Sequence, residues 1–289
     1  MMRFQKVYIE LTNGCGLACH FCPSRPKKTR VMELGDAERV LAQLVPYTKN
    51  LAFHVLGDPL TLEALPRYMD IAQHYGFGVH LVTSGFHLRK HSPELLRHPA
   101  LRQLNVSLNS ASRQTPRALK AYMDEVLTWC DHKREYAPNP FVNLRLWNQQ
   151  GDAKDLAFTQ TLYALISHSF YHSLQVQLDA KALQEGTYRL DEKIRLHVDR
   201  YFVWPSLDAP EVPDGPCHGL RSHIGILSDG TVVPCCLDGE GVLALGNVFT
   251  TPLEAILHSP KAQAIRRGFG EKKAVESLCQ RCDFRKRFL

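Results

Sequence analysis

No stretch of about 18 consecutive apolar residues occurs in this 289-residue chain, so it offers no membrane-spanning helix. A charged leader followed by an apolar run and a small-residue cleavage site is also missing; Met1 to Lys6 run straight into a strand-like segment. A secretory signal is therefore not expected. Internal repeats and low-complexity tracts are absent, which argues against a solenoid or a linker protein. Fourteen histidines show no metal-binding spacing. Apolar residues make up 44% and charged residues 22%, too apolar for a disordered chain and ordinary for a globular protein of about two domains.

Cysteine, by contrast, is plentiful. There are nine, an odd number, in a chain expected to work in the reducing cytoplasm, where disulfides do not persist. Clustered thiols there read as metal ligands or catalytic groups. Cys15, Cys19 and Cys22 form one group; Cys217, Cys235, Cys236, Cys279 and Cys282 form another. Cys130 stands alone in a helix-like stretch and reads as a small buried residue. The net charge of +6 is also unevenly placed: residues 266–289 hold eight basic and three acidic side chains, while the remainder is nearly balanced. Such a cluster suits an anionic partner or a solvated face.

Strand and helix signals alternate up to about residue 178. Strands are predicted at Lys6–Leu11, Leu51–Leu56, Gly78–Val82, Gln103–Leu108, Phe141–Leu146 and Leu174–Leu178, with helices at Met32–Tyr47, Leu62–Tyr75, Pro93–Arg97, Thr115–Glu135 and Asp152–His168. Six strands alternating with five helices predict an α/β fold with a parallel sheet, open or curved into a partial barrel, with functional loops at the C-terminal strand ends. Residues 181–216 read as a Pro-rich connector. Beyond it a hairpin is predicted around Asp229-Gly230, then an amphipathic helix over Pro252–Arg267, then the Cys279-x-x-Cys282 pair.

The spacing Cys15-x3-Cys19-x2-Cys22, directly after the first strand, places three thiolates on one short loop. Three thiolates can hold three irons of a [4Fe–4S] cubane and leave the fourth open to an amino-carboxylate chelator. A structural zinc would want four ligands, and His20, adjacent to Cys19, is the one awkward fourth; a redox thiol is the other alternative.

In this motif the sequence resembles the radical SAM superfamily. The resemblance implies a partial (β/α)6 TIM-type barrel over residues 1–180. It implies S-adenosylmethionine (SAM) on the open iron of a [4Fe–4S] cluster held by Cys15, Cys19 and Cys22, and reductive cleavage of SAM to a 5′-deoxyadenosyl radical that takes hydrogen from a substrate. Phe21 matches the aromatic position near the adenine. Gly57-Asp58-Pro59 looks like the family's Gly-Glu-Pro segment, with Asp for Glu, so the backbone role is the one that carries over. Ser84 lies in the segment ending the third strand, Ser107 and Asn109 end the fourth at the ribose position, and Arg145 ends the fifth, where a guanidinium suits the methionine carboxylate. A turn or core role is the alternative for each.

Cys217-x12-Gly230-x4-Cys235 resembles the opening of the SPASM extension of these enzymes, and Cys279-x-x-Cys282 part of its second half. The resemblance implies a small C-terminal domain over 217–289. With seven residues beyond Cys282, one auxiliary [4Fe–4S] cluster is expected, on Cys217, Cys235, Cys279 and Cys282, with Cys236 as a spare or inert thiol. Zinc on the same four thiolates is the alternative. His218 and His223 flank this site. The family resemblance makes a peptide or protein substrate the first expectation, and a flavodoxin or ferredoxin the electron donor. RNA modification is the second, from the C-terminal basic cluster with Phe269, Phe284 and Phe288 beside it. A small metabolite is third, and a non-catalytic iron–sulfur carrier or sensor is the reading from another class.

Overall fold

The computed structural model describes residues 2–23, 28–148, 153–171, 178 and 185–288. They fall into two compact units, Met1–Val79 with Phe202–Leu289, and His80–Tyr201.

In the first unit, β1 (Lys6–Ile9) is the centre. It pairs in parallel with β2 (Asn50–Phe53) on one side, Val7 opposite Leu51. On the other side it pairs in parallel with β8 (His223–Ile226), Val7 opposite Ile224. β9 (Thr231–Val233) and β10 (Gly246–Asn247) continue antiparallel, giving the order β10-β9-β8-β1-β2. The β8–β9 turn is at Asp229-Gly230, as the sequence predicts, with Gly230 at φ +83, where a Cβ would strike Phe249 and Asn247. Val7 and Ile9 are fully buried, as expected of a strand hydrogen-bonded on both edges and covered by helices. α1 (Leu34–Leu44) and α2 (Leu65–His74) pack on each other, and α1 buries Ala37, Val40, Leu41 and Leu44, an i, i+3, i+4, i+7 stripe. α2 stops because Gly76 takes φ +73 just beyond it, where its N–H bonds Gln73 O.

The single C-terminal helix expected over Pro252–Arg267 is two: α5 (Leu253–Leu257) and α6 (Pro260–Gly270). Pro260 disfavours a helical Ser259, and Ser259 is extended instead, its Oγ capping Ala262 N.

The boundary to the second unit falls within β3 (Gly78–Thr83). The second unit has the order β3-β4-β5-β7-β6, with β4 (Leu101–Ser107), β5 (Phe141–Asn148) and β7 (Ile194–Arg200) parallel and β6 (Gly186–Asp191) antiparallel to β7. α3 (Pro116–Tyr136) begins at Thr115, whose Oγ1 accepts from Ala118 N, with Pro116 in the first turn. It buries Trp129 and Cys130, and burial pushes the Cys130 thiol up to about 12, as befits an inert core residue. α4 (Ala153–Ser169) follows β5.

The strand expected at Leu174–Leu178 lies outside the described residues, apart from Leu178. The strand beside β5 is β7, and residues 186–200, within the stretch read as a connector, form the β6–β7 hairpin. Ile194, Leu196 and Val198 are buried there and alternate with Arg195, His197 and Asp199, but the prolines from Pro205 onward make the whole stretch read as a connector. That pattern is a strand with one wet face rather than a linker. Both units are mixed α/β with parallel strands at their centre, as the β–α alternation led one to expect.

Candidate functional site

Because β1, β2 and β8 are parallel and in register, their C-terminal ends emerge side by side, and Ile9 lies opposite both Phe53 and Ile226. Glu10, the next residue, is 3% exposed. Its carboxylate accepts from Leu56 N at 3.3 Å, Ser228 N at 3.3 Å and Ser228 Oγ at 2.8 Å. One side chain thus ties the loops after all three strands together. The sequence offers no signal for it beyond an acid at the end of an apolar strand.

The cysteine triad sits on the loop after β1. Thr12 Oγ1 donates to Arg30 O at 2.7 Å and accepts from Gly14 N at 3.0 Å. Asn13 Oδ1 accepts from Arg30 N at 2.7 Å, so the two arms of the loop are stitched at its base. Gly16 at φ +73 turns the chain after Cys15, and Cys22 N–H bonds Cys19 O at 3.1 Å, drawing the last two cysteines into one turn. Burial pushes the Cys15 thiol up to about 12, with Asp58, Cys19 and Cys22 adding to the effect. The three sulfurs therefore feel one another, and a thiolate here needs a cationic partner. Three soft thiolates fit an iron–sulfur cubane with one open iron.

Gly57-Asp58-Pro59 lies directly on this loop. Asp58 N–H bonds Gly14 O at 3.0 Å, and a carboxylate oxygen of Asp58 lies within 4.8 Å of Cys15 Sγ. A Cβ on Gly57 would stand 2.0 Å from Thr12 O, so only glycine allows this approach. Asp58 is 2% exposed and its Oδ1 accepts from Leu60 N at 3.0 Å, a local cap that starts the turn at Pro59. Phe21 meets the His20 ring edge-on at 5.3 Å.

The remaining residues expected at the cofactor lie in the second unit. Ser107 ends β4 directly opposite Arg145 on β5, and Arg145 is opposite His197 on β7. Ser84 is buried; its carbonyl accepts from Tyr122 Oη at 2.9 Å and its Oγ from Phe86 N at 3.4 Å. Asn109 is buried with both ends of its amide on Trp147, Oδ1 accepting from the N–H at 2.6 Å and Nδ2 donating to the C=O at 3.2 Å. Its amide extends the β5 ladder.

Cys217, Cys235, Cys279 and Cys282 line one cavity, walled otherwise by Pro205, Pro234, Leu237, Phe269, Leu278 and neighbours. β9 delivers Cys235 just past its end, and α7 (Ser277–Gln280) delivers Cys279. Cys282 N bonds Cys279 O at 3.3 Å, and Gly219 N and Leu237 N donate to the sulfurs of Cys217 and Cys235. Burial pushes Cys217 up to about 11 and Cys282 up to about 12, each with Cys235 as a further cause. Cys279 rises by burial and then by Cys217, Cys235 and Cys282. The four thiols form one mutually coupled set, in a wall that also holds Arg285 and an Asp238 whose carboxylate accepts from Val242 N and Leu243 N, and they fit a four-thiolate centre. Cys236 is not in the wall; it hydrogen-bonds Cys235, raising that thiol further, with burial, against the opposing effect of His223. The His218 ring packs edge-on against Phe288.

The C-terminal basic cluster is largely engaged. Arg281 pairs with Glu211 at 2.9 Å, Lys286 with Asp283 at 2.7 Å, Arg287 lies over Phe202 and Phe284, and Arg285 is 1% exposed in the wall of the four-cysteine cavity.

Two family models match the chain: the Radical SAM superfamily over residues 9–143, and the SPASM iron–sulfur cluster-binding domain over residues 217–283. The chain is a radical SAM enzyme with a SPASM-type C-terminal domain. The radical SAM domain implies SAM and a [4Fe–4S] cluster, and the SPASM domain implies auxiliary iron–sulfur binding. No curated protein matches it in sequence. Among solved structures, it is similar to BtrN in complex with AdoMet and 2-DOIA (16% identity, TM-score 0.54, covering 98% of this chain and 94% of that one). It is also similar to Streptococcus suis SuiB bound to the precursor peptide SuiA (13%, 0.60, 98% and 72%). A third similar structure is anSMEcpe with bound AdoMet and Kp18Cys peptide (16%, 0.53, 98% and 90%). These likenesses bear out the fold expected of the radical SAM domain. Among the described residues no helix is long and apolar enough to cross a membrane.

Proposed function

We propose that Cys15, Cys19 and Cys22 hold the [4Fe–4S] cluster that binds SAM, and that Cys217, Cys235, Cys279 and Cys282 hold one auxiliary [4Fe–4S] cluster. When bound, the first cluster supplies an electron to SAM, releasing methionine and a 5′-deoxyadenosyl radical that takes a hydrogen atom from substrate. The backbone at Gly57-Asp58-Pro59, pressed onto the loop at Gly14, positions the amino end of SAM; Arg145 and Ser107, side by side in register, are assigned to its carboxylate and ribose. The observation carrying this reading is a three-thiol loop held against Gly57-Asp58-Pro59, with Asp58 N–H on Gly14 O at 3.0 Å and no room for a Cβ on Gly57.

The test is anaerobic reconstitution with dithionite and SAM, assayed by chromatography for 5′-deoxyadenosine. Wild-type protein is expected to form it and Cys19→Ala to form none. Activity surviving in Cys19→Ala, or none in wild type, overturns the reading; a non-catalytic carrier predicts the second result. Iron is expected at about eight atoms per chain.

A peptide or protein substrate is our first reading. The precursor peptide on SuiB and the Kp18Cys peptide on anSMEcpe support it, and the electron donor is expected to be a flavodoxin or ferredoxin. A small metabolite is the second reading, favoured by the near-complete overlap with BtrN, which was crystallised with 2-DOIA. RNA has less support, since Arg281, Arg285, Lys286 and Arg287 are engaged within the protein. Salt-dependent binding to total tRNA would restore it.

A further inference from the structure

Arg285 is among the largest fully buried side chains, yet no carboxylate partners it among the described residues. Its Nη1 donates to Gly215 O at 3.3 Å, and its Nη2 to Pro213 O at 2.9 Å and Val212 O at 3.4 Å. Its Nε is buried with no hydrogen-bond partner. The same side chain forms part of the wall that carries Cys217, Cys235, Cys279 and Cys282. An uncompensated guanidinium and an orphaned N–H donor in a dry interior are both strongly unfavourable. They make sense if the cavity holds an anion.

We propose that Arg285 is the counter-charge of the auxiliary cluster, with its free Nε–H directed at the cluster or its sulfurs, and that it raises the reduction potential of that cluster. The inference rests on the four-cysteine site holding iron and sulfur rather than zinc. A cubane on four thiolates is anionic, and one-electron reduction adds a further negative charge. A fixed cation in a low-dielectric wall therefore stabilises the reduced form more than the oxidised form. An auxiliary cluster so poised is a better acceptor of the single electron left on a substrate radical after hydrogen abstraction. In such a step the substrate loses a hydrogen atom to the deoxyadenosyl radical, then one electron to the cluster and one proton to solvent. Arg285 touches neither substrate nor SAM in this account and acts through the cluster.

The test uses the full-length chain with Cys15→Ala, Cys19→Ala and Cys22→Ala, which leaves the C-terminal site as the one cluster. Iron content and a potentiometric titration followed by electron paramagnetic resonance are measured with Arg285 intact and in Arg285→Gln and Arg285→Lys. Absence of iron in the parent would fail the auxiliary-cluster reading itself and take this inference with it. With iron present, Arg285→Gln is expected to lower the reduction equilibrium constant at least tenfold, about 59 mV for one electron. Arg285→Lys is expected to keep most of the parent value. A loaded Arg285→Gln protein with the parent potential overturns the inference, as does a loaded Arg285→Lys protein shifted as far as the glutamine variant. If Arg285→Gln fails to load iron, the lysine variant decides: loading with the parent potential supports the counter-charge, and failure to load shows a clamp for residues 212–215 and overturns it.

Discussion

Glu10 and Ser228, 218 residues apart, are joined by two hydrogen bonds on a single carboxylate oxygen, from Ser228 Oγ at 2.8 Å and Ser228 N at 3.3 Å. The other oxygen takes Leu56 N, next to Gly57. The β8–β9 turn, the end of β1 and the segment expected to meet SAM therefore share one buried carboxyl group.

Removing it leaves buried donors unpaired. Glu10→Ala is expected to lower stability by about 1–3 kcal/mol, read by denaturant unfolding. Burial, only partly offset by the bonds from Ser228 and Leu56, raises the Glu10 pKa above its ordinary 4.5. Folding therefore favours the protonated form. The contribution of this group is full below the unfolded value and is lost as pH rises through the folded one. The stability advantage of wild type over Glu10→Gln should shrink from pH 4.5 to pH 7.5, and an advantage that grows over that range would contradict the assignment.

Gly57→Ala places a methyl group 2.0 Å from Thr12 O, a backbone atom that cannot swing aside. The loop that carries Cys15 must move. Loss of about 1–3 kcal/mol of stability is expected, together with at least a tenfold fall in SAM affinity by equilibrium dialysis. Unchanged affinity would separate this segment from the cofactor.

Cys236 lies outside the four-thiol cavity wall, whereas Cys235 lies in it. Cys236→Ser should retain the wild-type iron content, and Cys235→Ser should lose about four irons per chain. Equal loss in both would make Cys236 a ligand.

Asn109 completes the hydrogen bonding of Trp147 with both ends of its amide. Asn109→Ala should cost about 1–3 kcal/mol in unfolding experiments with less than a threefold change in SAM affinity. A large affinity loss without destabilisation would assign the residue to the ribose after all.

Much of this was legible in the chain. The strands from Lys6 to Leu146 are marked by apolar runs, and α3 by the Thr115-Pro116 start and its spaced apolar face. The hairpin at Asp229-Gly230 follows from the left-handed preference of glycine. The β6–β7 hairpin was also written in the chain, in the alternation of Ile194, Leu196 and Val198 with Arg195, His197 and Asp199, but the Pro-rich stretch after it made the whole segment read as a connector. Arg285 looked like one more member of a basic cluster, since burial of a charged residue depends on neighbours that lie far away in sequence.

By itself, the sequence determined the chemistry of each local piece. Cys15-x3-Cys19-x2-Cys22 sits within one loop, so its spacing alone sets which sulfurs can share a cluster, and the β–α alternation sets the sheet class. Tertiary structure alone decided that β8 lies beside β1 and that a guanidinium is walled in with the four C-terminal cysteines. Those arrangements arise from many weak contacts between segments up to some 200 residues apart, and no local pattern encodes their sum.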